Sequence, residues 1–229
     1  MNKINNKSML NSRRTLLQGL SLSLLGALPL FAWADGNSDY FKAVRFDDEA
    51  RVADLLRRGF NPNTTESLRG ENGLMVALRE KSTKVFALLL KARAVNLDLR
   101  AKNGDTAMML AAFSGNLPAV KALIQQGAQV NQTGWTALHY AASVGNNEIV
   151  QLLLDNYAYI DAESANKTTP LMMAARGGHI LTVKLLLDEG ADVGIKNNLG
   201  MTALDFAKKH DWADIVEGLT YQMKKAGKL

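Results

Sequence analysis

The 229-residue chain reads as all-α, a solenoid of about six helix-turn-helix units joined by short finger turns. Three observations predict this. Segments beginning at Gly104, Gly134 and Thr168 repeat one another, and their threonines at 106, 136 and 169, with a further one at 202, are spaced by 30, 33 and 33 residues. Within each unit the distance from threonine to a later valine is 14 residues: Thr106 to Val120, Thr136 to Val150, Thr169 to Val183 and Thr202 to Val216. The composition agrees. Alanine and leucine abound, aromatic residues make up 7%, and there are only four prolines, which favours helices over a β-sandwich.

Each unit can be justified in chain order. The first, FKAV followed by RVADLLRRGFNPN, keeps only its later half well. The second, NGLMVAL followed by FALLLKARAVNLDL, has Arg93 where glycine is usual. The third to fifth run GDTAMMLAAFSGNLPAVKALIQQGAQVN, GWTALHYAASVGNNEIVQLLLDNYAYID and TTPLMMAARGGHILTVKLLLDEGADVG, and the sixth GMTALDFAKKHDWADIV. The threonines precede apolar-periodic runs, where a hydroxyl caps free helix N–H groups. Pro170 suits a first helical turn, because its missing N–H costs nothing there. Alanine pairs at 111–112, 141–142 and 174–175 allow a first helix to pack closely, and Gly115, Gly145 and Gly178 suit its left-handed end. Val and Leu at 120 and 123, 150 and 153, and 183 and 186 form the apolar stripe of a second helix. Gly127 and Gly190 end it, and a finger follows. One such unit cannot bury its own core, whereas stacked units can.

These landmarks together resemble the ankyrin repeat, with its T-P-L-H-x-A-A, Gly, V-x-x-L-L and G-A-x-V-N pattern, over about residues 39 to 221. The first and last units are degenerate, as terminal caps facing water should be. The resemblance implies a concave face, built from finger tips and the exposed side of the first helices, that binds proteins without catalysis.

The N-terminus has another character. Residues 1–34 contain Lys3, Lys7, Arg13 and Arg14 and no acid, then an apolar run from Leu16 to Leu30, then Ala32-Trp33-Ala34. Small residues at Ala32 and Ala34 fit a signal-peptidase site, so a cleavable leader is expected over 1–34. Ser12-Arg13-Arg14-Thr15-Leu16-Leu17 resembles a bacterial twin-arginine export signal, with Leu16 where phenylalanine is commoner and Gln18 where lysine is commoner. General secretion is the alternative route, and both imply a periplasmic protein. A retained anchor over Leu16 to Ala34 would make the chain a membrane-tethered scaffold instead. Gln18, Gly19, Ser21, Ser23, Gly26 and Pro29 dilute that run. Without residues 1–34, Lys+Arg falls from 27 to 23 against 22 Asp+Glu, a balance of +1. A near-neutral body has no general field for phosphate backbones, so nucleic-acid binding is not expected. The organisation is therefore a leader over 1–34, a repeat domain over 35–221 and a basic tail over 222–229.

Candidates for chemistry are few. The absence of cysteine excludes thiolate nucleophiles and Cys-ligated metal. His139 stands at the T-A-L-H position, where the resemblance implies a local turn-supporting hydrogen bond. His179 and His210 fall near helix junctions, and repeat spacing works against a shared metal site. Met75, Met109, His139 and Met172 share one repeat column, which suggests either a soft-metal ladder or, more simply, core packing. The positions that the repeat leaves free point elsewhere. Those between Gly and Thr include Asp105, Trp135 and Met201. Those after the small pairs include Arg79, Phe113, Ser143, Val144 and Arg176. Aromatic residues and arginine are the usual interface anchors, so these eight form the expected docking face. The finger Val130-Asn131-Gln132-Thr133-Gly134 is three residues short and should notch the rim beside Trp135. The expectation is a non-catalytic, cofactor-free, monomeric periplasmic module that binds another envelope protein as an accessory, protective or inhibitory partner. A metal-handling protein or enzyme built on the Met/His column is the alternative.

Overall fold

A computed structural model describes residues 31–229, with side chains from Gly36 onward. Residues 1–30 of the predicted leader, with Arg13 and Arg14, lie outside the described residues, as do the side chains of Ala32 and Ala34. The chain divides into two compact units, Met1–Asp35 and Gly36–Leu229, and the repeats occupy the second. The described residues form twelve helices in six consecutive pairs. These are α1 (Phe31–Arg45) with α2 (Glu49–Arg57), α3 (Gly73–Glu80) with α4 (Thr83–Leu90), and α5 (Ala107–Phe113) with α6 (Leu117–Gln125). Then come α7 (Ala137–Ser143) with α8 (Asn147–Asp155), α9 (Pro170–Gly177) with α10 (Ile180–Asp188), and α11 (Ala203–Lys209) with α12 (Ala213–Lys225). One isolated antiparallel bridge, Thr65 to Asn72, is the sole strand-like pairing among them.

The expected capping appears, with one variation. Thr106, Thr169 and Thr202 accept from the N–H of Met109, Met172 and Asp205 at 3.4, 3.4 and 3.3 Å. The Thr136 hydroxyl instead meets Nδ1 of His139 at 2.9 Å. Asparagines do the same for second helices: Asn116 and Asn146 accept from Ala119 and Ile149 at 3.1 and 3.0 Å. Gly115, Gly145 and Gly178 all hold positive φ, the conformation that lets a first helix turn sharply into its partner. In the second unit the left-handed residue after α4 is Ala94, φ 62°, four residues past the end of that helix, rather than Arg93.

Stacking places like on like: α5, α7, α9 and α11 form one layer, and α6, α8, α10 and α12 another. The alanine pairs at 111–112, 141–142 and 174–175 are wholly buried, as are Val120, Val150, Leu123, Leu153 and Leu186. Their small size lets first helices approach, and the branched residues fill the space to the second layer. The predicted tail is corrected. α12 continues to Lys225 with Met223 buried, and Lys228 pairs with Asp192, so the packed array reaches beyond residue 221. Apolar contact and an ion pair thus hold part of the stretch read as a basic tail.

The first junction contains a defect. Tyr40 stacks on Phe60, ring centroids 4.4 Å apart, and its buried hydroxyl has no partner among the described residues; nor has Nδ2 of buried Asn72. A methyl group on the neighbouring Gly73 would overlap that hydroxyl, so Gly73 is required by close approach. Tyr40→Phe removes an unpaired polar atom and keeps the stacked ring. It is expected to stabilise the fold by about 1 kcal/mol, read as a higher urea midpoint at unchanged slope.

Candidate functional site

The first helices and the fingers frame two adjoining hollows. One, of about 290 Å³, is lined by Phe113, Tyr140 and Ser143 together with Trp135, Met173 and Arg176. The other, of about 330 Å³, shares Trp135, Met173 and Arg176 and adds Leu199, Met201, Phe206, Lys209 and His210. Five of the eight predicted residues thus converge: Phe113, Trp135, Ser143, Arg176 and Met201. Phe113 is 56% exposed and meets the Tyr140 ring edge-on at 5.9 Å, so an aromatic wall faces solvent. Trp135 does not lie flat along its own finger. Its ring stands edge-to-face against His139 at 5.1 Å and tilts towards Tyr140 at 6.4 Å.

The other three lie elsewhere. Asp105 is 8% exposed and accepts a hydrogen bond from the Tyr140 hydroxyl, so it orients the aromatic wall from behind rather than meeting a partner. Arg79 is held by Glu71, whose side chain is buried, and by Glu80, so its charge is already satisfied. Val144 sits at the exposed turn after α7 and lines neither hollow.

Sequence reasoning missed Tyr140, Met173 and Phe206. All lie four residues after the capping threonines 136, 169 and 202, so one column of the repeat supplies the floor of both hollows. Leu199 at a finger tip and Lys209 and His210 at the end of α11 were also not singled out.

The short finger has a structural consequence. The fingers before α5, α9 and α11 are each closed by a backbone bond: Ala101 to Asp105, Ser164 to Thr168 and Asn197 to Met201, at 2.8, 3.0 and 3.0 Å. Neighbouring tips are joined where Lys102 N–H donates to Arg69 O at 2.8 Å and Asn198 N–H to Asn166 O at 3.0 Å. Among the described residues the finger before α7 makes neither kind of bond. Arg100 ties it down instead, donating to Gly104 O, Gln132 Oε1 and Thr133 O at 2.9, 2.7 and 3.1 Å. The row of fingers is thereby interrupted, and Trp135 is the one finger residue lining the smaller hollow.

The Met/His column packs inside the array. Met75, Met109, His139 and Met172 are all buried. Met109 and Met172 sulfurs accept from the N–H of Thr106 and Thr169 at 3.4 and 3.5 Å, and His139 Nδ1 accepts from Thr136 N–H at 3.2 Å. His139 Nε2 donates to Thr168 O at 2.9 Å, the tautomer that satisfies both ring nitrogens. Burial pushes its pKa down to about 4, so it is neutral at pH 7. Three of the four side chains in the column thus each accept from the cap N–H of their own unit. No group of three or more His, Asp or Glu that could hold a metal ion occurs among the described residues. His179 Nε2 lies 2.9 Å from Ser143 O, and Trp212 Nε1 donates to Arg176 O at 3.3 Å; both join the turn of one unit to the first helix of the preceding one.

Comparison with known proteins agrees with this geometry. A family model for ankyrin repeats in three copies matches residues 41–133, 74–164 and 159–227. The human transient receptor potential cation channel subfamily A member 1 is 31% identical over 172 residues, 69% of this chain but 15% of that protein. The human SH3 and multiple ankyrin repeat domains protein 2 is 33% identical over 158 residues, 67% of this chain and 8% of the relative. The mouse nuclear factor NF-kappa-B p105 subunit is 32% identical over 160 residues, 66% of this chain and 16% of the relative. The chain thus spans less than a fifth of each of these proteins. Six helix pairs, a family model covering residues 41–227 and these relatives together place the chain in the ankyrin repeat family.

Proposed function

We propose that this chain is an exported, non-catalytic binding module of the bacterial periplasm that docks a protein partner on its concave face. One observation supports the docking reading above all: two hollows that share Trp135, Met173 and Arg176 give a continuous apolar trough with an aromatic wall. Large, rigid aromatic side chains in a partly enclosed surface are the usual anchors of protein interfaces. The compartment rests on the leader: basic residues without acids, then an apolar run, then Ala32-Trp33-Ala34. The partner is then another envelope protein, for which the module acts as an accessory, protector or inhibitor.

A photo-crosslinking amino acid at Phe113, in cells of the source bacterium, tests this. The same group at Lys121, on the second helix of that unit, is the control. A discrete adduct from Phe113 that is absent from Lys121 is expected, and it should appear in the periplasmic fraction. Equal labelling from both positions would sink the docking reading; an adduct confined to the cytoplasm would sink the compartment.

A further inference from the structure

The charge around the hollows is one-sided, although the body of the chain is close to neutral. Arg176 and Lys209 line them, with His210 beside the latter, and no acidic residue does. Neither cation has an ion-pair or side-chain hydrogen-bond partner among the described residues. This contrasts with Arg51, Arg79 and Arg100, which are bound to Asp39, Glu71 and Gln132. Arg176 and Lys209 stand in the last turns of α9 and α11. A helix end there contributes about half a negative charge, which a full cation more than offsets. The larger hollow they line is otherwise largely apolar, with Trp135, Met173, Leu199, Met201 and Phe206.

We propose that the segment docked here is acidic: an extended stretch of another protein that lays a large apolar side chain in the trough and sets carboxylates against Arg176 and Lys209. This rests on the concave face being a docking face. The floor takes the apolar group, whose burial provides most of the affinity, and the two cations choose among apolar segments by repelling basic ones. The chain's own ends do not fit. Residues 1–34 and the stretch Lys224 to Leu229 are basic and without acid. Its own acidic run is already used, since Asp47 accepts from Val85 N–H at 2.9 Å and Asp48 from Arg51 N–H at 3.0 Å. A single-stranded nucleic acid also has anions and stacking faces, but such binders track the backbone with an extended basic groove, and here only Arg176, Lys209 and His210 stand in an otherwise largely apolar trough.

Fluorescence anisotropy with three labelled peptides tests the proposal on the full chain. One repeats Glu-Glu-Phe, one has lysine for each glutamate, and one has serine for each phenylalanine; labelled oligothymidine is the fourth probe. The Glu-Glu-Phe peptide is expected to bind about tenfold or more tightly than either peptide control, weakening as salt rises. Arg176→Glu combined with Lys209→Glu should reverse the preference between the glutamate and lysine peptides. These are exposed or rim positions, and unchanged thermal unfolding will show that the variant is folded. Equal binding of the lysine peptide, or tighter binding of oligothymidine, overturns the acidic assignment. If no probe binds while Phe113 still gives its adduct, the partner chemistry is wrong and the docking face stands. If the adduct also fails to form, both fall.

Discussion

Replacing Phe113 and Trp135 together by alanine is expected to weaken partner docking at least about a hundredfold, equivalent to about 2.7 kcal/mol or more. Both rings wall the smaller hollow, and Trp135 also walls the larger, so the double variant opens the trough along one side. Calorimetry with the protein captured through Phe113 would measure it. The two positions should differ in what else they disturb. Phe113 is mostly exposed, and its loss should leave stability within about 0.5 kcal/mol. Trp135 packs on buried His139, so Trp135→Phe is the better single control, since it keeps an edge-to-face ring. Undiminished affinity in the double variant, with normal unfolding, would remove the anchor role of this wall.

Acid should destabilise the fold through His139. Its pKa in the folded protein is about 4, against 6.5 for the free side chain, so at intermediate pH the unfolded chain binds a proton that the folded chain refuses. The sign follows. The contribution is fully present above pH 6.5, is lost progressively as pH falls, and has gone by about pH 4. The loss is on the order of 3 kcal/mol, enough to matter against the usual stability of a domain. His139→Met is the informative variant, because Met109 and Met172 already fill the same place in neighbouring units and accept the same cap N–H. At pH 7 it should cost about 1 kcal/mol for the lost bond to Thr168 O. Between pH 7 and 4 the parent should lose several-fold more stability than the variant in urea titrations. Parallel losses would mean that His139 does not titrate as its burial implies.

The ease with which these elements could be read from sequence differed for physical reasons. The caps, the alanine pairs and the glycine turns recur in every good unit because each solves a local problem of chain geometry. One unit's solution is visible beside the next: Thr106 and Thr169 cap the same way, and Gly115, Gly145 and Gly178 turn the same way. The docking floor was harder. Tyr140, Met173 and Phe206 lie on helices where an apolar residue reads as core, and periodicity cannot separate an inward side chain from one facing a groove. Asp105 looked free because the hydroxyl that buries it comes from Tyr140, 35 residues later. Arg79 looked free because Glu71 is eight residues earlier, in a finger. In each case a partner distant in sequence decided the outcome. The hold on the tail was hidden because its lysines surround Met223, and the Asp192 that pairs with Lys228 lies 36 residues earlier.

The orphaned Tyr40 hydroxyl and Asn72 amide bear on how the array comes apart. In a chain of stacked units each interface contributes its own share of cohesion, and opening spreads from whichever end is held least. Two buried groups that would regain water on separation lower the cost of parting the first pair of helices from the rest. Melting should therefore begin at the N-terminal end and stop against the better-satisfied units behind it. The trough between α5 and α11 would stay folded through that early fraying, because none of its lining residues belongs to the first unit.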